Sequence, residues 1–247
     1  MAFFAHFDFD LATALTEQLV IAFDKLEEGG LSLEHLAQIP QKQGVYQLFR
    51  DGMLVYIGKA ANLRNRLTQH RRKIVGRKNI DAEEMGFKCL TVASTWTPMA
   101  LEESLIKHYK TAPGGCEWNG NGFGPHDPGR ERETTNKDPE GFDSQFPIRE
   151  NWPCTSVKAG THNAGNLLAA MKKELPYLLR YDTKHGDYKK VKVAVPHDGM
   201  PAIELLRIVT QNLPGWQATQ FPSHLILYKE HRAYTHGTVI WQQPAKT

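Results

Sequence analysis

Cysteine is scarce in this 247-residue chain: Cys89, Cys116 and Cys154 stand far apart and form no C-x-x-C pair. Neither a disulfide framework nor a structural zinc site is expected, and a reducing compartment suits the chain. No apolar run approaches the length that crosses a bilayer. The N-terminus lacks a basic stretch and meets acid at Asp8, which makes it a poor export signal. No internal repeat or low-complexity tract appears. These absences predict an ordinary globular protein of the cytoplasm, with no membrane partner.

Charge of either sign is also modest, the net being +3, which alone separates no function class. Its distribution is more informative. Lys59, Arg64, Arg66, Arg71, Arg72, Lys73, Arg77 and Lys78 follow one another with no intervening acid. Such a run concentrates positive potential where a polyanion could be held, although a solvated helix face is the plainer reading.

The remaining pattern is mixed. Leu11, Leu15, Leu19 and Phe23 mark an amphipathic helix over Asp10–Lys25, and Ser32–Gln38 reads as a second, stopped by Pro40. Gly44–Phe49 and Met53–Gly58 flank Arg50-Asp51-Gly52 and read as a hairpin. A two-residue Asp51-Gly52 loop would pair Tyr46 with Ile57 and part Tyr46 from Tyr56. A three-residue loop would put Tyr46 opposite Tyr56, and this is the register we expect. Asn62 caps a helix to about Lys73 with Leu63, Leu67 and Ile74 inward and Arg66 and His70 together on one side. Phe87–Ala93 reads as a strand and Thr97–Lys110 as a helix. A glycine- and proline-rich stretch follows from Gly114 to Arg130. Beyond about Phe146 comes a second α/β pattern: a helix over Asn166–Leu179, a strand over Val191–Val195, a helix over Pro201–Leu213 and a strand over Leu225–Tyr228.

Of two adjacent acids, one stands out. On a helical projection Leu101, Leu105 and Tyr109 define the packed face, and Glu102 falls within it, whereas Glu103 points outward with Lys107. A carboxylate on an apolar stripe needs a cationic partner or a metal. With Tyr46, Tyr56, Lys59, Arg66 and His70 it completes a set suited to phosphodiester hydrolysis: a way to activate water, a cation to hold charged oxygens, and relief for the leaving oxygen.

The segments Gly44-Val45-Tyr46, Val55-Tyr-Ile-Gly-Lys-Ala60, Asn62-Leu-Arg-Asn-Arg-Leu67, Leu101-Glu-Glu-Ser-Leu-Ile106 and Asn119 resemble the successive motifs of the GIY-YIG nuclease superfamily. His70 and the run from Trp118 to Arg130 are similar to the type II restriction endonucleases of the SacII-isoschizomer group. The resemblance implies an α+β fold, a small central antiparallel sheet flanked by helices, with an added C-terminal α/β region. We divide the chain into an N-terminal helical cover (1–40), a catalytic domain (41–148) and a region for DNA recognition or dimerisation (149–247).

For the site, the resemblance implies Mg²⁺ or Mn²⁺ on Glu102, Arg66 on the scissile phosphate, and Tyr46 or Tyr56 as base, with Tyr46 favoured. Lys59 and His70 would assist, and Asn119 completes the motif set. Arg64, Arg71, Arg72, Lys73, Arg77, Lys78, His126 and Arg130 are the expected DNA contacts. The implied activity is double-strand cleavage at a short GC-rich palindrome by a homodimer in a bacterial or archaeal cell, paired with a DNA methyltransferase. A repair or structure-selective nuclease of the same superfamily is the alternative, and a non-catalytic DNA-binding protein is the alternative of another class.

Overall fold

The computed structural model describes residues 3–4, 6, 10–93, 98–110, 115–124 and 140–245. The chain groups into two compact units, residues 1–71 with 81–124, and residues 72–80 with 125–247. Segments drawn at 1–40, 41–148 and 149–247 are cut differently by this grouping. The first forty residues belong to the same unit as the site, and 72–80 goes with the C-terminal part.

Unit 1 runs α1 (Leu11–Asp24), β1 (Gly29–Gly30), α2 (Leu33–Gln38), β2 (Gly44–Arg50), β3 (Met53–Ala60), α3 (Leu63–Val75, whose end is counted with unit 2), β4 (Met85–Thr91) and α4 (Pro98–Tyr109). Caps explain several starts: Asp10 accepts from the Thr13 amide, Ser32 from His35 and Asn62 from Asn65. The four strands lie in the order β1-β4-β2-β3, antiparallel throughout. This is the expected small antiparallel sheet with helices.

Alternation along β2 gives the sheet two faces. Val45 and Ile57 join Phe23 of α1 and Leu105 of α4 in one apolar cluster. Tyr46, Leu48 and Tyr56 point to the opposite side.

The hairpin register differs from the one expected. Arg50 pairs with Met53, so Asp51 and Gly52, at φ 49° and 74°, form a two-residue turn with both centres left-handed. This is the backbone that Asp-Gly favours. A bulge then shifts the pairing beyond Phe49, and Tyr46 faces Gly58 while Leu48 faces Tyr56. One extra residue in β3 restores the parity that a plain two-residue turn would have broken. Tyr46 and Tyr56 therefore share a face, as diagonal neighbours and not as a direct pair.

Unit 2 contains α5 (Phe142–Gln145), β5 (Gly160–Asn163), α6 (Ala164–Glu174), β6 (Leu178–Tyr181), α7 (Asp187–Lys190), β7 (Lys192–Val195), α8 (Ala202–Gln211), β8 (Gln217–Gln220), β9 (His224–Tyr228) and β10 (Thr238–Gln242). A sheet ordered β10-β8-β9-β6 and a β5–β7 ribbon surround a core built on Leu168, Met171, Leu205, Trp216 and Leu225. The helix expected to reach Leu179 stops at Glu174. Leu167, Met171, Leu175 and Leu179 keep a helical spacing in sequence, but Pro176 ends the helix and Leu179 is buried from β6.

Candidate active site

Tyr46, Tyr56, Arg66 and His70 come together over one face of the unit 1 sheet. Leu63 and Leu67 are fully buried and fix α3 by its apolar stripe. That leaves Arg66 and His70, one turn apart, beside the tyrosines. The Tyr46 hydroxyl lies 2.7 Å from His70 Nε2 and accepts from Arg66 Nε at 3.3 Å. The Tyr46 and Tyr56 rings are 6.1 Å apart between centres.

The Tyr46 hydroxyl is thus held by two polar partners in a dry environment, since Tyr46 is fully buried and His70 is 3% exposed. Burial pushes the Tyr46 phenol well above its ordinary pKa, and Tyr56 adds to the rise while Arg66 opposes it. Tyr56 is raised too, first by burial, with Arg66 again opposing and Glu102 reinforcing. A lone tyrosinate is therefore expensive here, and any role for Tyr46 in moving a proton needs a partner to receive one.

Glu102 sits as the helical projection predicts, with a side chain 21% exposed, whereas Glu103 is exposed. Its partner is Lys59, with Nζ 3.3 Å from Oε2. Its negative charge also bears on both phenols. Among the described residues no three His, Cys, Asp or Glu side chains converge. A divalent ion held by Glu102 would take one protein ligand and draw the others from water and substrate, which suits Mg²⁺.

Gly58 is forced by this packing. A Cβ there would overlap the Tyr46 hydroxyl and crowd the Tyr56 ring. Gly58→Ala should therefore cost about 1–3 kcal/mol of stability through overpacking. Urea unfolding checks this, and a cost below about 0.5 kcal/mol would mean that the two rings yield freely.

Asn119 has a structural office. Its Oδ1 accepts from the Ile57 amide at 2.9 Å and its Nδ2 donates to the Ile57 carbonyl at 2.8 Å. The Trp118 amide donates to the Val55 carbonyl at 3.0 Å. β3 is an edge strand, and residues 118–119 satisfy backbone groups that the sheet leaves open. The clamp also carries an aromatic, Phe123, that lies outside the motif set. Phe123 stacks on His70 at 4.7 Å and 13° and meets Tyr56 edge-on at 5.0 Å. An aromatic in a glycine-rich loop was the available signal.

The basic run is not the displayed patch that its composition suggested. Arg77 is 3% exposed and ion-paired with Asp143 at 2.9 Å, so its reading as a DNA contact is overturned. Lys78 pairs with Glu150 at 2.6 Å. Arg72 donates to the carbonyls of Lys173 and Leu175, at the end of α6. Lys73 lies over the Phe142 ring, Arg64 donates to the Ile39 carbonyl, and Arg71 is half-buried. His126 and Arg130 lie outside the described residues.

A family model described as the Eco29kI GIY-YIG domain matches residues 52–152. This span includes Tyr56, Lys59, Arg66, His70, Glu102 and Asn119. Tyr46 lies just before it, yet is bonded to two residues within it. Similar proteins include the UvrABC system protein C of Christiangramia forsetii, 33% identical over 94 residues, or 34% of this chain and 15% of that protein. That of Porphyromonas gingivalis is 37% identical over 79 residues, 30% of this chain and 13% of that protein. The chain thus spans about a seventh of the length of these relatives.

Proposed function

From the premise that this chain carries a GIY-YIG domain of the nuclease superfamily, we propose that it is an endonuclease hydrolysing phosphodiester bonds of double-stranded DNA, of the type II restriction class. The observation that carries the hydrolytic reading is the Tyr46 hydroxyl held between His70 and Arg66 on the face shared with Tyr56. The restriction reading is supported by the Eco29kI domain match, which extends through the loop that holds Asn119 and Phe123. The UvrABC relatives support the second reading, a repair nuclease using the same domain.

The chemistry follows from donors and acceptors. Arg66 Nε–H donates to the Tyr46 oxygen, and in the His70 tautomer whose Nε2 accepts, the Tyr46 hydroxyl donates its proton to that nitrogen. A proton taken from the attacking water by the Tyr46 oxygen can then move in step with transfer of the Tyr46 proton to His70. The phenol relays the proton without standing as a free phenolate, the state that burial disfavours. Arg66 has further N–H groups with which to hold a non-bridging phosphate oxygen.

Lys59 orients Glu102 through their 3.3 Å ion pair, and Glu102 is the residue that would hold Mg²⁺ or Mn²⁺. When bound, such an ion stabilises charge on the phosphoryl and leaving oxygens. The rest of the reading is a homodimer on DNA, since two strands need two sites, acting in the bacterial or archaeal cytoplasm beside a protecting methyltransferase. No helix among the described residues is long and apolar enough to cross a membrane.

Incubation of the purified protein with supercoiled plasmid and Mg²⁺ tests this. Discrete fragments are expected. Cutting confined to damaged or branched substrates would favour the repair reading, and retardation without cutting would defeat both.

A further inference from the structure

Holding a polyanion requires free positive charge, and the two units differ in it. Unit 1 carries ten Lys and Arg against fourteen Asp and Glu, whereas unit 2 carries twenty against thirteen. Phosphate neutralisation therefore falls mainly to unit 2. Within that unit several cations are already committed. Arg77, Lys78 and Arg72 are bonded as described above, Arg149 Nε donates to the Arg77 carbonyl, and Lys229 pairs with Asp187 at 3.0 Å.

Of the cations that remain, the closest-spaced group lies at the β5–β7 ribbon, apart from Lys172 and Lys173 on α6. Lys189 and Lys190 end α7 and Lys192 opens β7, and all three are exposed. None has an ion-pair partner among the described residues. Lys184 is exposed nearby in sequence, and Lys158, just before β5, makes only a surface pair with Asp198, both side chains being more than 60% exposed. The neighbouring acids are partly occupied. Asp187 accepts from Trp216 and Lys229, and Asp182 from the Lys184 amide.

The ribbon is shaped to approach a duplex. Val193 and Val195 are buried on one face, while Thr161 and Ala194, paired across the strands, and Lys192 are exposed on the other. The Asn163 side chain donates to the Lys189 carbonyl at 2.6 Å and ties α7 to β5. A two-stranded ribbon fits the major groove, and small side chains at its centre allow close approach while flanking lysines reach phosphates.

We propose that the exposed face of the β5–β7 ribbon, with Lys189, Lys190 and Lys192, is a docking surface for the backbone of duplex DNA. The inference rests on the nuclease reading for its ligand but not on the assignment of any catalytic residue. The test is binding of the full chain to an end-labelled duplex of about 30 base pairs, read by fluorescence anisotropy in EDTA across about 50–200 mM salt. The triple variant Lys189→Ala/Lys190→Ala/Lys192→Ala should bind at least about tenfold more weakly and lose about one unit of salt slope per lysine. Lys172→Ala/Lys173→Ala on α6 is the control and should keep the wild-type slope, with circular dichroism confirming that each variant is folded. An unchanged slope in the triple variant, or an equal loss in the control, overturns the docking surface alone. Absence of any duplex binding by the wild type overturns it together with the nuclease reading.

Discussion

Glu102→Gln is expected to lower plasmid cleavage by about a thousandfold or more, at nearly unchanged stability. The substitution keeps the shape of the side chain and removes its charge, and that charge is what would bind a divalent ion. The cost to folding is small because the Lys59 pair, with side chains 32% and 21% exposed, is of the kind that contributes about 0–1 kcal/mol. A midpoint of thermal unfolding within about 3 °C of the wild type is expected for a chain of this size. Glu103→Gln is the internal control, since Glu103 lies on the same helix but is exposed. Single-turnover cleavage at saturating Mg²⁺ measures both. Activity of Glu102→Gln within tenfold of wild type, or an equal loss in Glu103→Gln, would remove Glu102 from the site.

The same helix shows why some of the site was legible from sequence. Helical periodicity is rigid, so the angular difference between Glu102 and Glu103 survives into the fold. The same holds for Arg66 and His70, placed one turn apart by a stripe whose Leu63 and Leu67 are fully buried. Strand register is less constrained. The Asp51-Gly52 turn and the bulge after it each shift parity by one, and only their sum decides that Tyr46 and Tyr56 share a face. Tertiary arrangements were opaque for a different reason. Phe123 reaches His70 because Asn119 supplies hydrogen-bonding partners to Ile57, a contact 62 positions away that no local spacing encodes. The basic run misled because charge per residue says nothing about what each cation meets on folding.

Arg77 carries that last point to a second large effect. Arg77→Ala should destabilise unit 2 by about 3–5 kcal/mol, the cost of breaking a buried ion pair and leaving one partner behind. The guanidinium donates to the carbonyls of Phe146 and Pro222 at 3.1 Å each, in addition to its 2.9 Å pair with Asp143, and lies over the Phe142 ring. Burial pulls its pKa below the ordinary arginine value, and the neighbouring Asp143 opposes the shift. Asp143→Ala should cost a similar amount, and the double variant less than the two losses added, with a coupling of about 1–3 kcal/mol. Urea unfolding of the four proteins measures this cycle. Were Arg77 instead a phosphate contact, its replacement would leave the unfolding midpoint in place and reduce the salt slope of DNA binding by about one unit. The two readings thus predict opposite responses in separate measurements, and a stable Arg77→Ala protein with a weakened slope would reverse the structural assignment.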